Sequence, residues 1–319
     1  MPSKTKPCLV VLIPALNEER TIGSVIKAIP EKIPGMGKVL VLVVDDGSTD
    51  RTVQKARQAR ADKIVSHGVN KGLGIAFRTG VETALGMKAD IIVNIDADGQ
   101  FNPEDIGKLV APIVAGKADV VTCSRFKKKS LEPKMPAVKR FGNRLFTKMI
   151  NFFTKSNFTD TQCGFRAYSK DAALRLNLFA KFTYTQETLI DLVSKGMRVE
   201  EVACKVRGQR KGQSRMVKSW YSYGIKALLI VVRTLRDYKP MMFFGGMGAL
   251  LFGIGAIGVL YYWLFSQVPT PGWIVYGIGI LLLLGFLLIM LALIADMLDR
   301  QRKIQEEILY KLRKKELEK

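Results

Sequence analysis

Acidic side chains follow three apolar segments near the start of this 319-residue chain, each at the point where the segment ends. Glu18 follows the first segment, Asp46 follows the second, and Asp96 and Asp98 follow the third. Carboxylates brought together repel one another unless a cation or a polar ligand lies among them. In a chain with a formal net charge of +22, this pattern indicates a binding site for such a ligand.

The pair Asp96 and Asp98 has the most specific spacing. On an extended turn, two carboxylates two residues apart point to the same side and form a hard oxygen site suited to Mg²⁺ or Mn²⁺ that bridges phosphate oxygens. The same spacing also occurs in solvated turns without a ligand. Its position at a strand end, beside two other acidic loops, favours the metal site.

Basic residues cluster further along the chain. The segment Arg125–Lys148 holds nine Lys or Arg and one acid, and Lys205–Lys218 holds six and no acid. One interpretation is a solvated or membrane-facing basic surface. The other is that a few arginines bind phosphates bidentately, for which we select four: Arg125, Arg140, Arg210 and Arg215. A nucleic acid would use the same charge, but the acidic strand ends and the membrane segments argue against it.

Several other kinds of site are excluded or disfavoured by composition. The single histidine, His67, excludes histidine-based triads and multi-histidine metal sites. The four cysteines form no C-x-x-C pair, so we expect free thiols. The glycine-containing segment Asn70–Ala76 lacks the spacing of a phosphate or dinucleotide loop. We expect a tight strand-to-helix turn there, with Gly80 packing the following helix against a sheet.

The elements that must position these residues alternate along the chain. The pattern predicts strands at Leu9–Ile13, Val39–Val44, Lys63–Ser66 and Ile91–Ile95, with helices from Thr21 to Ile29, from Thr52, and through Ile75–Leu85. Such a rhythm is typical of a mostly parallel sheet with crossover helices. Because ligands bind at the carboxyl ends of the strands in these sheets, the acidic residues are expected at the site.

A membrane anchor is expected after the soluble part. No charged residue lies between Lys239 and Asp296, and Met241–Phe265 and Gly272–Ala295 are each long enough to span a bilayer. The glycine pairs Gly248 and Gly253, and Gly245 and Gly248, could let the two helices approach closely. Basic residues flank the hairpin on both sides but are absent from its linker, so both ends are expected in the cytoplasm.

The expected domain boundaries follow from these composition changes. Residues 1–215 form the soluble α/β domain, and 216–239 an amphipathic helix at the membrane surface, although packing on the soluble domain is an alternative. Residues 240–298 contain the two spans, and 299–319 a charged helical tail with no assigned role. The run Cys8–Ile13 is too short for a signal peptide.

Six blocks of residues occur in an order that resembles a known family. They are Pro14-x-x-Asn17-Glu18, Val44-Asp45-Asp46-Gly47-Ser48, Asp96-Ala97-Asp98-Gly99-Gln100, Ser124-Arg125, Asp160 to Arg166, and Arg210-x-Gly212-x-Ser214-Arg215. Together they resemble family 2 glycosyltransferases of the GT-A fold, in the branch of dolichol-phosphate mannose synthases and polyprenyl-phosphate glucosyltransferases. The resemblance implies a Rossmann-like, mostly parallel sheet, and the C-terminal two-helix transmembrane hairpin is similar to that of membrane-anchored members.

The resemblance also implies a role for each matching residue. The nucleotide of a sugar donor would be held by Pro14, Leu16, Glu18, Val44, Asp46, Asp96, Ala97, Arg210 and Arg215. The metal, Mg²⁺ or Mn²⁺, would be bound by Asp96, Asp98 and Gln100. The catalytic set would be Asp98, Arg125, Arg140 and Glu187, with the two arginines near the acceptor phosphate. The chain departs from the family pattern at Leu16, where an aromatic residue is common, and at Arg215, which is often Lys.

The resemblance implies an inverting enzyme that transfers one hexose, with mannose as the first choice, from a nucleotide sugar to dolichyl or polyprenyl phosphate. Two spans are too few for the pore of a processive synthase. The alternatives are glucosyl or N-acetylglucosaminyl transfer, another lipid acceptor, a non-catalytic membrane scaffold with a nucleotide-binding fold, and a basic membrane- or nucleic-acid-binding module. An integral membrane protein is expected, with the catalytic domain and both termini in the cytoplasm. If the source is a prokaryote, the membrane is the plasma membrane. A homo-oligomer remains open.

Overall fold

The computed structural model describes residues 6–132, 137–177, 184–207, 236, 239–265 and 271–317. The chain divides into two compact units. The first comprises Met1–Val217 together with Tyr310–Lys319, and the second comprises Lys218–Leu309.

The strands of the first unit are β1 (Cys8–Ala15), β2 (Lys38–Asp45), β3 (Lys63–Ser66), β4 (Ile91–Asn94), β5 (Val120–Ser124), β6 (Arg166–Ser169) and β7 (Val199–Ala203). Its helices are α1 (Ile22–Lys27), α2 (Thr52–Gln58), α3 (Leu73–Gly86), α4 (Ile106–Val114), α5 (Ala137–Thr154), α6 (Lys170–Arg175) and α7 (Thr185–Ser194). Short 3₁₀ turns lie at Pro103–Asp105 and Lys129–Leu131. The four predicted strands and three predicted helices are present within a few residues of their expected bounds.

One sheet of the described residues joins these strands in the order β3-β2-β1-β4-β6-β5-β7. β1 pairs in parallel with β2 and β4, and β5 pairs in parallel with β7. β6 runs antiparallel to both of its neighbours, β4 and β5. The mostly parallel α/β sheet expected from the sequence is therefore confirmed, and the single reversed strand is a feature that the residue pattern did not predict.

The two faces of the sheet carry separate apolar cores because side chains alternate along each strand. On β1, Leu9, Val11 and Ile13 pack on one face, whereas Val10 and Leu12 pack on the other. Helix α3 lies close to β1, since a Cβ added at Gly80 would fall 2.2 Å from Leu12 Cδ1. Gly80 thus permits the expected helix-to-sheet packing, and Gly72, with a φ of 101°, forms the turn before α3.

The second unit contains two apolar helices, α8 (Gly246–Leu264), preceded by a π-helical turn at Met241–Gly245, and α9 (Gly272–Leu317). Both Met241–Leu264 and Gly272–Leu317 are long and apolar enough to cross a membrane. Their contacts run through glycines, because a Cβ at Gly248 would lie 2.9 Å from the carbonyl oxygen of Gly285. The described residues leave open space around Gly253, so the expected role of that residue in close packing is wrong.

The charged tail continues the second span as one uninterrupted helix of 46 residues rather than starting a new element at residue 299. Its last turns belong to the first unit. There, Tyr310 donates a hydrogen bond to the carboxylate of Asp171, and Arg313 Nη1 donates to the carbonyl oxygens of Leu174 and Leu176 at 3.2 and 2.9 Å. Tyr310 and Arg313 therefore contact α6 and the residues that follow it.

Candidate active site

The acidic strand ends predicted from the sequence meet at one edge of the sheet. Ala15 at the end of β1 pairs with Asp45 at the end of β2, and Leu12 of β1 pairs with Asn94 at the end of β4. β5 runs in the same direction as β4, because both are antiparallel to β6. Residues that follow β1, β2, β4 and β5 thus share one edge, together with the segment that enters β6.

The loops after β1 and β2 are bonded to each other. The N–H of Asn17 donates to Ser48 Oγ at 2.9 Å, and Asn17 Oδ1 accepts the N–H of Thr49 at 2.8 Å. Asn17 has a φ of 54°, in the left-handed region, which asparagine tolerates better than most residues. Asp50 accepts the N–H groups of Glu19 and Thr52, so it joins the loop after β1 to the first residue of α2.

Asp46 binds the segment that precedes α3. Asp46 is 4% exposed, and its carboxylate accepts the N–H groups of Lys71 and Gly72 at 3.0 and 2.9 Å. His67 Nδ1 lies 2.8 Å from the same carboxylate, and His67 Nε2 lies 3.0 Å from Thr79 Oγ1. Among the residues that the structure describes, the one histidine thus supports Asp46, an aspartate that the sequence assigned to the nucleotide.

The Asp96 and Asp98 pair follows β4 and is only partly buried. Asp98 Oδ1 accepts the N–H of Gln100 at 3.0 Å, which closes the turn. Gly164, in the segment that enters β6, lies against Asp96, since an added Cβ would fall 3.3 Å from both of its carboxylate oxygens. A side chain at position 164 would therefore crowd Asp96, a candidate metal ligand.

The donor set of this pair fits a divalent metal that is shared with a ligand. Among the described residues, no cluster of three or more His, Cys, Asp or Glu side chains could hold a metal alone. Mg²⁺ binds in proteins through one or two carboxylates together with substrate phosphates and water. Two aspartates at an open sheet edge match that pattern, and Gln100 lies at the end of the same turn.

Two buried side chains support the strand end that carries Asp96. Asn94 Nδ2 donates to the carbonyl oxygen of Gly164 at 2.9 Å and to the Tyr184 hydroxyl at 2.8 Å. The Tyr184 ring stacks on Phe77, with centroids 4.2 Å apart. Burial, followed by the charge of Asp96, raises the pKa of Tyr184 well above its usual value. Tyr184 is therefore a neutral group beside Asp96.

Arg125, after β5, is held by Asp160 rather than extended into solvent. Arg125 Nε and Nη2 donate to the two carboxylate oxygens of Asp160 at 2.6 and 3.0 Å, and Asp160 is fully buried. Burial lowers the pKa of Arg125, whereas the hydrogen bond and the charge of Asp160 raise it by a larger amount. The net shift of the pKa is therefore upward. The guanidinium thus stays charged, with a fixed orientation.

Arg140 and Glu187 lie on two different helices. Arg140, on α5, forms an ion pair with Glu132, and its Nε is buried without a hydrogen-bond partner in the described part of the chain. Glu187 lies in the first turn of α7. The fully buried Arg166 anchors that turn, because its Nη1 donates to Thr188 Oγ1 at 2.7 Å as well as to a carbonyl oxygen in the same turn.

The other predicted site residues follow the same edge or lie outside the described residues. Pro14 and Val44 are buried in neighbouring strands and are register partners, and Leu16 and Glu18 follow in the loop after β1. Ala97 is buried between the two aspartates. Arg210, Arg215 and the expected amphipathic helix at 216–239 lie outside the described residues, apart from residues 236 and 239.

Comparison with protein families shows which family the chain belongs to. The model of the family described as Glycosyl transferase family 2 matches residues 10–176, which span β1 to α6 and include the Asp96 and Asp98 turn. This chain is a family 2 glycosyltransferase. The family and the GT-A-like sheet expected from the sequence are thereby confirmed.

Relatives of this glycosyltransferase include enzymes named for lipid-phosphate acceptors. A UDP-N-acetylglucosamine–dolichyl-phosphate N-acetylglucosaminyltransferase of Methanococcus voltae is 33% identical over 62% of this chain and 84% of its own. A polyprenol monophosphomannose synthase of Mycolicibacterium smegmatis is 28% identical over 65% of this chain and 80% of its own.

Among solved structures, the chain is similar to glucosyl-3-phosphoglycerate synthase from Mycobacterium tuberculosis in complex with Mn²⁺, uridine diphosphate and glucosyl-3-phosphoglycerate. The TM-score is 0.54 and the identity 25%, over 72% of this chain and 79% of that one.

Sequence reasoning missed the buried and half-buried side chains that support the candidate site. The sequence analysis includes Asp160 only as the start of a block. It predicts no role for Asn94, for His67, or for Glu201, whose carboxylate accepts the N–H of Asp160 at 3.0 Å. A signal existed for Asn94, an amide in a strand that is otherwise apolar (Ile91–Asn94). The others have no local signal, because each acts on a residue far away in the chain.

Proposed function

We propose that this glycosyltransferase transfers one hexose from a nucleotide sugar to the phosphate of a polyprenyl or dolichyl phosphate. The observation that carries the proposal is that two acidic side chains and one arginine lie at the same edge of the sheet. Asp96 and Asp98 offer carboxylates for a metal-bound diphosphate, and Arg125 offers a fixed guanidinium for a second phosphate. The names of the two relatives and the apolar helices α8 and α9 support a lipid acceptor.

The donor would bind over the ends of β1, β2 and β4. Asp96 and Asp98, with Gln100, would hold Mg²⁺ or Mn²⁺, which would stabilise the negative charge that develops on the leaving nucleotide diphosphate. The loop residues Leu16 and Glu18 would contact the nucleoside, supported from below by Pro14, Val44 and the Asp46 network. Arg210 and Arg215 would complete the diphosphate site.

The acceptor needs little activation if it is a phosphate. A phosphate monoester with a second pKa of about 6 is largely ionised near neutral pH, so it can attack the sugar without a strong general base. Arg125 and Arg140 would orient it in line with the leaving diphosphate. Glu187, in the first turn of α7, would contact the sugar or the acceptor.

The choice of sugar is the finer part of the proposal. Mannose is the first choice, in line with the polyprenol monophosphomannose synthase among the relatives. N-acetylglucosamine is the alternative that the Methanococcus voltae relative favours. The reaction would take place at the cytoplasmic face of the membrane, because the basic flanks of the two spans favour cytoplasmic ends.

The first experiment incubates the purified protein with Mn²⁺ or Mg²⁺, a polyprenyl phosphate and a panel of nucleotide sugars, and follows the lipid-linked sugar by mass spectrometry. We expect one donor to yield a hexosyl phosphate lipid. Asp98→Ala should reduce transfer by at least about 100-fold, because charge stabilisation of the leaving group is lost. Glu82→Ala, which removes an exposed acid of α3, should retain full activity.

Each contrary outcome points to a different alternative. Full activity of Asp98→Ala would refute the metal assignment. Metal-dependent nucleotide binding without any lipid product would refute the phosphate acceptor and favour a hydroxyl acceptor such as a glycolipid. Absence of both nucleotide and metal binding would favour a non-catalytic scaffold.

A further inference from the structure

Glu201 lies on the edge strand β7, and its carboxylate accepts hydrogen bonds from two residues of a distant loop. Its Oε1 accepts the N–H groups of Thr159 and Asp160 at 2.9 and 3.0 Å, and its Oε2 accepts the hydroxyl of Thr159 at 2.9 Å. These donors lie more than 40 residues earlier in the chain. The carboxylate therefore binds one specific loop, the 159–160 loop that precedes β6.

These hydrogen bonds hold the Glu201 carboxylate at a position from which water is partly excluded. Burial raises the pKa of Glu201 above its usual 4.5, although the hydrogen bonds from the loop act in the opposite direction. A buried carboxylate is costly unless its oxygens accept hydrogen bonds. Here the loop supplies them, so loop and carboxylate stabilise one another.

The loop that Glu201 holds carries the partner of Arg125. The Asp160 carboxylate accepts hydrogen bonds from Arg125 Nε and Nη2 and from the backbone N–H of Arg125. Thr159 Oγ1 also lies within hydrogen-bond distance of Ser124 Oγ, the residue before Arg125. The orientation of the guanidinium is thus set by Asp160, and the position of Asp160 is set by Glu201.

We propose that Glu201 is a positioning residue for the acceptor phosphate, acting on the Arg125 guanidinium through the 159–160 loop and Asp160. The inference rests on the proposed function, because it takes Arg125 as the group that binds this phosphate. Since Asp160 binds the edge formed by Nε and Nη2, an acceptor phosphate would meet the Nη1 side of Arg125. Glu201 itself would contact neither substrate.

The test compares Glu201→Ala and Glu201→Gln with a matched control, Glu200→Ala. Glu200 is the preceding residue on the same strand, but it is exposed. We expect Glu201→Ala to raise the KM for polyprenyl phosphate about tenfold or more, because small displacements of a positioning group cost one to two orders of magnitude. The KM for the nucleotide sugar should stay within about twofold, since the donor residues lie on other loops. Glu200→Ala should change neither constant.

Glu201→Gln tests whether the hydrogen bonds or the charge matter, because its amide oxygen can still accept both loop N–H groups. We expect it to restore most of the acceptor affinity. In an Arg125→Ala background, Glu201→Ala should have no further effect on the KM for polyprenyl phosphate, because the two residues act in series. An additive effect, or equal changes in both KM values, would overturn the inference.

Hydrogen exchange tests the contact independently of the reaction. In Glu201→Ala, the N–H groups of Thr159 and Asp160 should lose protection, whereas Glu200→Ala should leave it unchanged. If the wild type forms no lipid product, the proposed function fails on that result alone. If the wild type is active and Glu201→Ala keeps its acceptor KM, the inference fails while the proposed function stands.

Discussion

At the residue scale, the side chains around a position limit which residue type fits there. Gly164 is the clearest case, because its position is defined by two groups from other segments. A Cβ there would lie 2.9 Å from the Tyr184 hydroxyl oxygen and 3.3 Å from both oxygens of Asp96. The contact under 3 Å forces a displacement, and the Tyr184 ring is held in a densely packed core.

We therefore expect Gly164→Ala to displace Asp96 and to weaken metal-dependent nucleotide binding by about 10- to 100-fold, the range for changes that disturb groups around metal ligands. Isothermal titration with Mn²⁺ and a nucleoside diphosphate measures this change. The matched control is Gly107→Ala in α4, where an added Cβ meets nothing within 4 Å among the described residues. If Gly164→Ala bound metal and nucleotide like the wild type, Asp96 would not be the constrained ligand.

At the scale of elements, one ion pair joins the starts of β5 and β7. Asp119, just before β5, accepts the N–H, Nε and Nη2 of Arg198, just before β7. Hydrogen bonds from the Arg198 side chain lower the pKa of Asp119 below its usual 3.8, although partial burial acts in the opposite direction.

The sign of the pH dependence follows from this shift. Because the pKa is lower in the folded protein than in the unfolded chain, the pair stabilises the fold above pH 3.8 and loses this contribution as the pH falls below that value. Arg198→Ala should therefore lower the thermal midpoint at neutral pH, and the difference from wild type should shrink in acid. Arg57→Ala, on the exposed face of α2, should differ little from wild type at any pH. A constant difference for Arg198→Ala would contradict the assignment.

The two apolar helices depend on close backbone approach rather than on interlocking large side chains. A Cβ at Gly285 would lie 2.5 Å from the backbone nitrogen of Phe252, and one at Gly255 would lie 2.8 Å from Leu282. In a membrane, where burial of apolar surface drives little association, such small residues let helices make van der Waals contact.

Gly285→Ala should thus separate α8 from α9 and cost about 1–3 kcal/mol, the usual effect of an added methyl group in a packed interface. Thermal unfolding in detergent measures the loss. Gly253→Ala adds the same methyl group to α8 with nothing within 4 Å in the described residues, so it should be neutral or slightly stabilising. Equal midpoints for the two variants would refute the interface.

At the scale of the whole molecule, the charge distribution determines how the chain meets a membrane. Its formal net charge of +22 is concentrated outside the two spans, because no charged residue lies between Lys239 and Asp296. We therefore predict that the catalytic unit and the C-terminus lie in the cytoplasm, with the short linker on the opposite side.

Reporter fusions test this topology. A reporter active only outside the cytoplasm should be inactive when fused after Lys319 and active when inserted in the linker, 266–271. The opposite pattern would place the active site on the outer face, away from cytoplasmic nucleotide sugars.

The sequence by itself determined the features that are written in local patterns. Alternating apolar segments predicted four of the strands, acids after strand ends predicted the site edge, and uncharged runs predicted α8 and the apolar part of α9. Motif order predicted the family that the comparison confirmed. The strands and the apolar helices are readable because each depends on residues that are close together in the chain.

Only the tertiary structure decided which side chains support the site. Asp160 lies 35 residues from Arg125, and Glu201 lies 41 residues from Asp160, yet they form one chain of hydrogen bonds. Those contacts exist because β6 reverses direction between β4 and β5 and because β7 pairs with β5. Strand order and register depend on long-range packing, which local periodicity does not encode.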